Sequence, residues 1–184
     1  MKNKNIIFIA GVHGVGKSTF CDSLSLKTEA FPISASTLIK RSIALNNGKI
    51  VDNVNKNQNA LIEQLSQLDI REDTILLDGH FCLIDKNKNI NDVPTQTFVS
   101  IDPTLILLLK CDAQRIQDRL SERDGAEVFD KYLIDELQKY ETNRARLISK
   151  TINVPIIEID TTLPFTDDFL SRIAIRITNR NKEI

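Results

Sequence analysis

Short, wholly apolar runs alternate along the chain with longer segments in which apolar residues recur every three or four positions. The runs have the length of strands and are rich in β-branched residues, so they predict buried strands, whereas the longer segments predict amphipathic helices. The predicted strands are Lys4–Ala10, Phe31–Ser34, Thr74–Asp78, Thr104–Leu109 and Pro155–Ile159. The predicted helices are Lys17–Leu26, Thr37–Asn46, Asn55–Leu68, Asp112–Glu122, Phe129–Ser149 and Asp167–Thr178.

Strands that alternate with helices in this way predict an α/β fold, with a parallel sheet covered by helices on both faces. The chain shows no internal repeat and no linker between domains, so we expect a single domain over residues 1–184. Two polar stretches, Asn46–Asn59 and Asp85–Asp92, are typical of surface loops or flaps.

The composition is that of an ordinary globular protein: 184 residues, of which 41 % are hydrophobic and 27 % charged, with a net charge of −1. A charge near zero argues against nucleic acid or an anionic membrane as a partner. The first apolar run leads into a glycine motif and not into a cleavage site, which argues against a signal peptide. Three scattered cysteines predict neither disulfides nor a metal site, and so favour a cytoplasmic protein.

The sequence "GVHGVGKS" has the spacing G-x-x-x-x-G-K-S of a Walker A phosphate-binding loop, and it lies between a predicted strand and a predicted helix. Such a loop directs backbone N–H groups and a helix N-terminus at phosphate oxygens. We therefore expect ATP to bind here, with Lys17 reaching the outer phosphates. The predicted nucleotide-binding residues are Gly11, Val12, His13, Gly14, Val15, Gly16, Lys17, Ser18 and Thr19.

A carboxylate, Asp78, ends the second buried strand in the segment "ILLDGH". At the carboxyl end of a strand beside a phosphate loop, Asp78 and the Ser18 hydroxyl are suitable ligands for Mg²⁺. His80 follows two residues later, and it either faces the substrate or has a structural role.

The rest of the chain narrows the class of nucleotide-binding protein. The GTPase base-recognition pattern N-K-x-D is absent, and the length argues against a large mechanical ATPase, which leaves a compact P-loop kinase. The segment "FPISASTLIKR" contains no carboxylate to act as a base for an alcohol, so it favours an acceptor that is already phosphorylated. Lys40 or Arg41 would meet that phosphate, unless both are simply solvated residues of a helix.

Three arginines, Arg115, Arg119 and Arg123, are spaced four residues apart on one predicted helix. Like charges at this spacing destabilise a helix unless an anion offsets them. We predict that Arg119 and Arg123 face the transferred phosphoryl group as catalytic residues; the alternative is that nearby acidic residues pair with them. In the later segment "NRAR" we select Arg144 as the arginine that faces the site.

Taken together, these residues resemble the adenylate kinase branch of the P-loop nucleoside monophosphate kinases, particularly the compact archaeal-type adenylate kinases. The similar segments are "NKNIIFIAGVHGVGKST", "ILLDGH", "VPTQTFVSIDPTLILLL", "RIQDRLSERD" and "NRAR". The resemblance implies a five-stranded parallel sheet of order 2-3-1-4-5, an acceptor-binding flap at about residues 36–68 and a short lid at about residues 119–130. It also implies transfer of the γ-phosphoryl group of ATP, with Mg²⁺, to a nucleoside monophosphate such as AMP.

In that family's arrangement, Ser36, Thr37, Lys40 and Gln58 would line the acceptor site, and Val93–Phe98 would flank the acceptor base. The chain departs from the more familiar adenylate kinases in three places. In the acceptor flap, "SAST" with Lys40 replaces a Thr-Gly-Asp turn and an arginine; "DGHFC" lacks an arginine; and the lid is short, with no cysteine-bearing zinc loop. These departures keep two alternatives open. One is a regulatory or assembly ATPase that acts through a protein partner, and the other is a kinase of a small alcohol.

Overall fold

The structure is a computed structural model, and it describes residues 4–45, 54–85, 87–124 and 129–180. The strands are β1 (Asn5–Ala10), β2 (Phe31–Ser34), β3 (Thr74–Asp78), β4 (Cys82–Ile84), β5 (Ile90–Asp92), β6 (Leu105–Lys110) and β7 (Ile156–Asp160). The helices are α1 (Lys17–Thr28), α2 (Ala35–Leu45), α3 (Val54–Ser66), α4 (Thr95–Ile101), α5 (Ala113–Asp124), α6 (Lys131–Thr151) and α7 (Asp167–Arg180).

Five of the strands form one parallel sheet in the order β2-β3-β1-β6-β7, and β4 and β5 form a separate antiparallel hairpin. The predicted order 2-3-1-4-5 describes the same sheet, since the hairpin adds two strands to the numbering between the third and fourth strands of the sheet. The predicted fold class is therefore confirmed.

The central strands are apolar throughout because helices cover both faces of the sheet. Successive residues of β1 alternate between two cores: Ile7 and Ile9 face the one formed with α1, α5 and α7, and Phe8 faces the one formed with α2, α3 and α4. A parallel sheet of this kind brings the carboxyl ends of β1 and β3 together, which is where ligands bind in such folds.

Three elements differ from the predicted pattern: β4, β5 and α4. The stretch predicted as a loop at Asp85–Asp92 contains the turn and second strand of the hairpin, and α4 was not predicted. The turn is stabilised locally, because the Asp85 carboxylate accepts hydrogen bonds from the backbone N–H groups of Asn87 and Asn89, at 2.8 and 2.9 Å. The polar composition of this stretch therefore indicated correctly that it is exposed, but it did not indicate that the stretch pairs as a strand.

The predicted flap corresponds to α2 and α3, which pack against each other, while residues 46–53 between them lie outside the described part. The predicted lid begins in α5, and residues 125–128 also lie outside the described part. The division into one domain with a flap and a lid stays a prediction. Among the described residues, no helix combines the length and the apolar character that crossing a membrane requires.

Candidate functional site

A cavity of about 450 Å³ opens at the carboxyl ends of β1 and β3. The phosphate loop and the start of α1 form one wall, and β3, α2, α3 and α4 form the others. Polar groups crowd the end next to the phosphate loop, whereas apolar side chains such as Ile39, Leu61, Leu83 and Phe98 line the opposite end. The cavity therefore has a polar half and an apolar half.

The phosphate loop has the backbone conformation that its glycines predict. Gly11, Gly14 and Gly16 all have positive φ angles, of 142°, 78° and 102°. At Gly11 a Cβ atom would also lie 2.6 Å from the carbonyl oxygen of Leu109, so no other residue fits there without a backbone shift. The turn leads directly into α1 at Lys17, which gives the loop the positive end of a helix dipole.

Lys17, Ser18 and Asp78 form a cluster in the polar half. The Lys17 ammonium donates to the carbonyl oxygens of Gly11 and Val12, at 2.8 and 3.1 Å, and lies 3.9 Å from the Asp78 carboxylate. The Ser18 hydroxyl donates to the same carboxylate at 3.3 Å. Burial raises the pKa of Asp78, against the opposing effects of Lys17 and Ser18, and burial lowers the pKa of Lys17.

The hydroxyl of Ser18 and the carboxylate of Asp78 are oxygen donors of the kind that Mg²⁺ prefers, and both line the cavity beside the phosphate loop. The described residues contain no cluster of three or more His, Cys, Asp or Glu side chains suited to a metal. A metal held here would consequently depend on these two residues and on ligands that a nucleotide and water bring, which is how Mg²⁺ is usually bound with phosphates.

Two histidines meet at the boundary between the halves. The rings of His13, in the phosphate loop, and His80, after β3, lie 4.2 Å apart between centroids. Loss of solvent lowers the pKa of His13 to about 4, with Lys17 and Arg123 adding to the effect. Burial lowers the pKa of His80 well below its usual value, and Lys17 and His13 act in the same direction. Both rings are therefore neutral near pH 7.

The two arginines predicted to face the transferred phosphoryl group lie in different places. Arg123 lines the main cavity, where it pairs with Asp124 at 2.7 Å. Arg119 instead donates to the carbonyl oxygens of Gly14 and Val15, at 3.3 and 3.2 Å, on the outer side of the phosphate loop. The two residues lie one turn apart on α5, about 6 Å along the helix axis, and this offset is enough for their side chains to line different cavities.

Arg119 and Arg115 line a second groove of about 450 Å³, together with the segment from Thr161 to Phe165 after β7. The Thr161 hydroxyl donates to Val15 at 2.8 Å, and the Arg115 guanidinium donates to the Thr162 carbonyl at 2.6 Å. These bonds fix the segment after β7 against the phosphate loop. The groove begins at Gly16 and Thr19, so it continues from the site where phosphates are expected.

Some of the predicted acceptor residues line the main cavity and others do not. Ser36, Gln58 and His80 line the main cavity, as do Val93, Thr97 and Phe98 from the predicted base-flanking segment. Thr37 does not line it, and its hydroxyl lies 2.8 Å from that of Ser34. Lys40 and Arg41 are exposed side chains of α2 outside the cavity lining.

Arg144 is placed differently from its prediction. Its guanidinium donates to the carbonyl oxygen of Val93 and the hydroxyl of Thr95, at 3.0 and 3.1 Å, and lies 3.4 Å from the Asp92 carboxylate. It does not line the cavity. Through these contacts, which lie outside the cavity lining, Arg144 joins α6 to β5 and to the segment between β5 and α4.

Sequence reasoning missed Glu141, a residue of α6 that is only 2 % exposed. Its carboxylate accepts hydrogen bonds from the backbone of Gly11, Phe81 and Cys82. The available signal was a lone acidic residue on the buried face of a helix, in line with Ile134, Ala145 and Ile148.

Comparison with known proteins supports a nucleotide-binding fold of this kind. A family model described as an AAA domain (AAA_17) matches residues 10–138. A gluconokinase from Sinorhizobium meliloti 1021 superimposes with a TM-score of 0.56 and 15 % identity, covering 98 % of this chain and 94 % of its own. A shikimate kinase from Acinetobacter baumannii in complex with shikimate has a TM-score of 0.58 and 12 % identity, covering 99 % and 95 %.

At these identities the two structures establish the fold, which is that of the P-loop kinases. They do not support the finer resemblance to archaeal-type adenylate kinases, since their names are those of other kinases. No protein of curated function matches the sequence. The family match covers more than half of the chain and includes the phosphate loop, Asp78 and the α5 arginines, so the protein belongs to the AAA domain family AAA_17.

Proposed function

We propose that this protein is a P-loop kinase that transfers the γ-phosphoryl group of ATP to a nucleoside monophosphate, with AMP as the preferred acceptor. The observation that carries the proposal is the continuous cavity that joins the phosphate loop to an apolar, aromatic chamber. A kinase needs two substrates side by side with the reacting phosphate between them, and this cavity offers one compartment for each.

The donor half is the better defined of the two. Phosphates would lie on the backbone N–H groups of the loop and the N-terminus of α1. The donor base would lie in the groove lined by Arg119 and Pro164, where a planar ring can stack on a guanidinium. Ser18 and Asp78 would hold Mg²⁺, which supplies charge neutralisation at the outer phosphates.

The acceptor half is suited to a nucleobase. Leu83, Val93, Phe98 and Ile101 present apolar and aromatic surface, while Gln58 can read the polar edge of a planar ring. A cavity of about 450 Å³ lies within the range of ligand sites for small molecules. A polyhydroxylated acid would find few hydrogen-bond partners on such a wall, so the lining favours a base over a sugar acid.

In the transfer step, the protein contributes position and charge. Lys17 and Arg123, the two cations that line the cavity among the described residues, would neutralise the charge that develops on the transferred phosphoryl group. The neutral rings of His13 and His80, which both line the cavity, would limit the entry of water to the reacting groups. The acceptor phosphate is already an anion and requires no base.

A second candidate, a kinase of a nucleoside hydroxyl or another small alcohol, has one observation in its favour. Among the described residues, the apolar half of the cavity contains no Lys or Arg that could bind an acceptor phosphate. Asp78 and His80 line the same cavity, where they could accept a proton from a hydroxyl group. The acceptor would then be recognised by its base alone.

Formation of ADP in the presence of ATP and Mg²⁺ tests both candidates, with nucleoside monophosphates, nucleosides and sugar acids offered separately. The proposal expects one monophosphate to raise ADP production well above the rate with ATP alone, and Lys17→Ala to abolish the increase. Stimulation by a nucleoside or a sugar acid in place of every monophosphate would favour the second candidate. ADP production that no acceptor changes would contradict both and favour the partner-dependent ATPase.

A further inference from the structure

Glu141 carries a buried carboxylate that the proposed transfer step does not use. It lies in the middle of α6 and is held by three backbone donors. Its Oε1 atom accepts from the N–H groups of Gly11 and Phe81, at 3.2 and 2.9 Å, and its Oε2 atom accepts from the N–H group of Cys82 at 2.7 Å. The carboxylate thus bridges two loops that are distant in sequence.

These three donors lie where the sheet ends. β1 and β3 pair in parallel as far as Asp78, and the next backbone bond, from Gly79 to Ile9, is 3.0 Å long. Beyond it the two chains separate, one into the phosphate loop and the other into the turn that carries His80. Their N–H groups no longer have a strand partner, and Glu141 supplies the acceptor that the sheet cannot.

Gly11 connects this bridge to the reacting groups. Its N–H group donates to Glu141, while its carbonyl oxygen accepts from the Lys17 ammonium at 2.8 Å. Movement of Glu141 would therefore shift Lys17 and the turn that carries Asp78 and His80 relative to each other.

We propose that Glu141 is a positioning residue, whose carboxylate fixes the separation between the phosphate loop and the Asp78–His80 turn. It thereby holds the side chains of Lys17 and Asp78 at a fixed position relative to each other. Its effect on turnover rests on the proposed kinase function. The bridge itself and its effect on nucleotide binding do not require an acceptor.

The charge state of the bridge is open to measurement. Burial raises the pKa of Glu141 to about 7, although the three backbone donors and the Lys17 ammonium of α1 act in the opposite direction. Three titratable groups near the bridge do not change charge near this pH: burial raises the pKa of the Cys82 thiol to about 12, and the pKa values of His13 and His80 are lowered. Asp78 pairs with Lys17 at 3.9 Å; burial raises the pKa of Asp78 and lowers that of Lys17, so Glu141→Gln is needed to assign the transition to Glu141.

The direct test follows the backbone amide resonances of Gly11, Phe81 and Cys82 by ¹H–¹⁵N NMR as the pH is changed in the full-length protein. We expect all three amides to shift with one common midpoint, and we expect this transition to be absent in Glu141→Gln. Three unrelated midpoints, or a transition that persists in Glu141→Gln, would overturn the proposal. The wild-type titration tests for the common midpoint even if the variant does not fold.

Function is tested with a matched set of variants. Glu141→Gln keeps the length of the side chain but replaces one acceptor with a donor, and Glu141→Asp keeps the charge but shortens the reach. Both should lower kcat by about tenfold to a hundredfold, because small displacements of reacting groups have effects of this size. Glu136→Gln, on the same helix, removes only an ion pair with the exposed Lys139 and should leave kcat unchanged.

Affinity for ATP and Mg²⁺, measured by calorimetry, separates this proposal from the proposed function. Weaker binding in Glu141→Gln than in Glu136→Gln, together with the common amide titration, supports the bridge even if no acceptor is ever phosphorylated. Equal affinity and equal kcat in the two variants would overturn the positioning role, whatever the acceptor proves to be.

Discussion

Replacing Gly79 with alanine tests how closely the turn after β3 is fitted to the core. A Cβ atom at this position would lie 2.7 and 2.8 Å from two carbon atoms of the Phe8 ring. Carbon atoms in contact are normally about 3.5–4.0 Å apart, so the ring or the turn would have to move by about 1 Å. Phe8 is 2 % exposed, and its ring packs edge-on against Phe81 and Phe98, with centroids 5.2 and 5.4 Å away.

The size of the effect follows from this packing. Overpacking of a core costs about 1–3 kcal/mol, and the lower chain entropy of unfolded alanine offsets roughly 0.4–1 kcal/mol of it. A net loss of about 1–2 kcal/mol corresponds to a Tm lower by about 2–8 °C for a chain of this length. Phe8 also lines the cavity, so the displaced ring should raise the KM for the acceptor.

Thermal unfolding followed by circular dichroism measures the loss, and a double-mutant cycle with Phe8→Leu identifies its source. Leucine lacks the ring atoms that the new Cβ would meet, so Gly79→Ala should cost less than half as much in the Phe8→Leu background. An equal cost in both backgrounds would refute the steric explanation. Wild-type stability for Gly79→Ala would refute the close fit itself.

Three further predictions concern the charged residues of the site. Asp78→Asn should lower kcat by about a hundredfold and weaken its dependence on Mg²⁺ concentration, and an unchanged dependence would contradict the assigned metal role. Arg119→Ala should weaken ATP binding, measured by calorimetry, by about tenfold. Arg115 is an exposed residue, so Arg115→Ala should weaken ATP binding less, and equal effects of the two variants would contradict the proposed donor groove. Arg144→Met should lower the free energy of unfolding, measured in urea, by about 1–3 kcal/mol, because the Val93 carbonyl and the Thr95 hydroxyl lose their hydrogen-bond donor and Asp92 loses its ion-pair partner. Unchanged stability would contradict the structural role of Arg144.

Much of the fold could be predicted because it depends on local patterns. The buried strands are continuous apolar runs, and the helices have apolar residues at regular helical spacing, so their identity and order follow from the chain itself. The phosphate loop could be predicted for the same reason, since the conformation of Gly11, Gly14 and Gly16 depends on few neighbours. The β4–β5 hairpin was missed because its turn is stabilised by hydrogen bonds that the Asp85 carboxylate accepts, and not by a hydrophobic pattern.

By itself, the sequence determined the phosphate loop, the order of strands and helices along the chain and the presence of Asp78 at a strand end; the order of the strands within the sheet was implied only by the family resemblance. Only the tertiary structure decided which cavity each arginine lines: Arg123 lines the main cavity and Arg119 the second groove, although only one turn of α5 separates them. The tertiary structure also decided that Arg144 joins α6 to β5 through Asp92. It decided as well that Glu141 accepts a hydrogen bond from the N–H group of Gly11, which precedes it by 130 residues. These roles depend on how helices pack against loops, and helical spacing alone does not specify that packing.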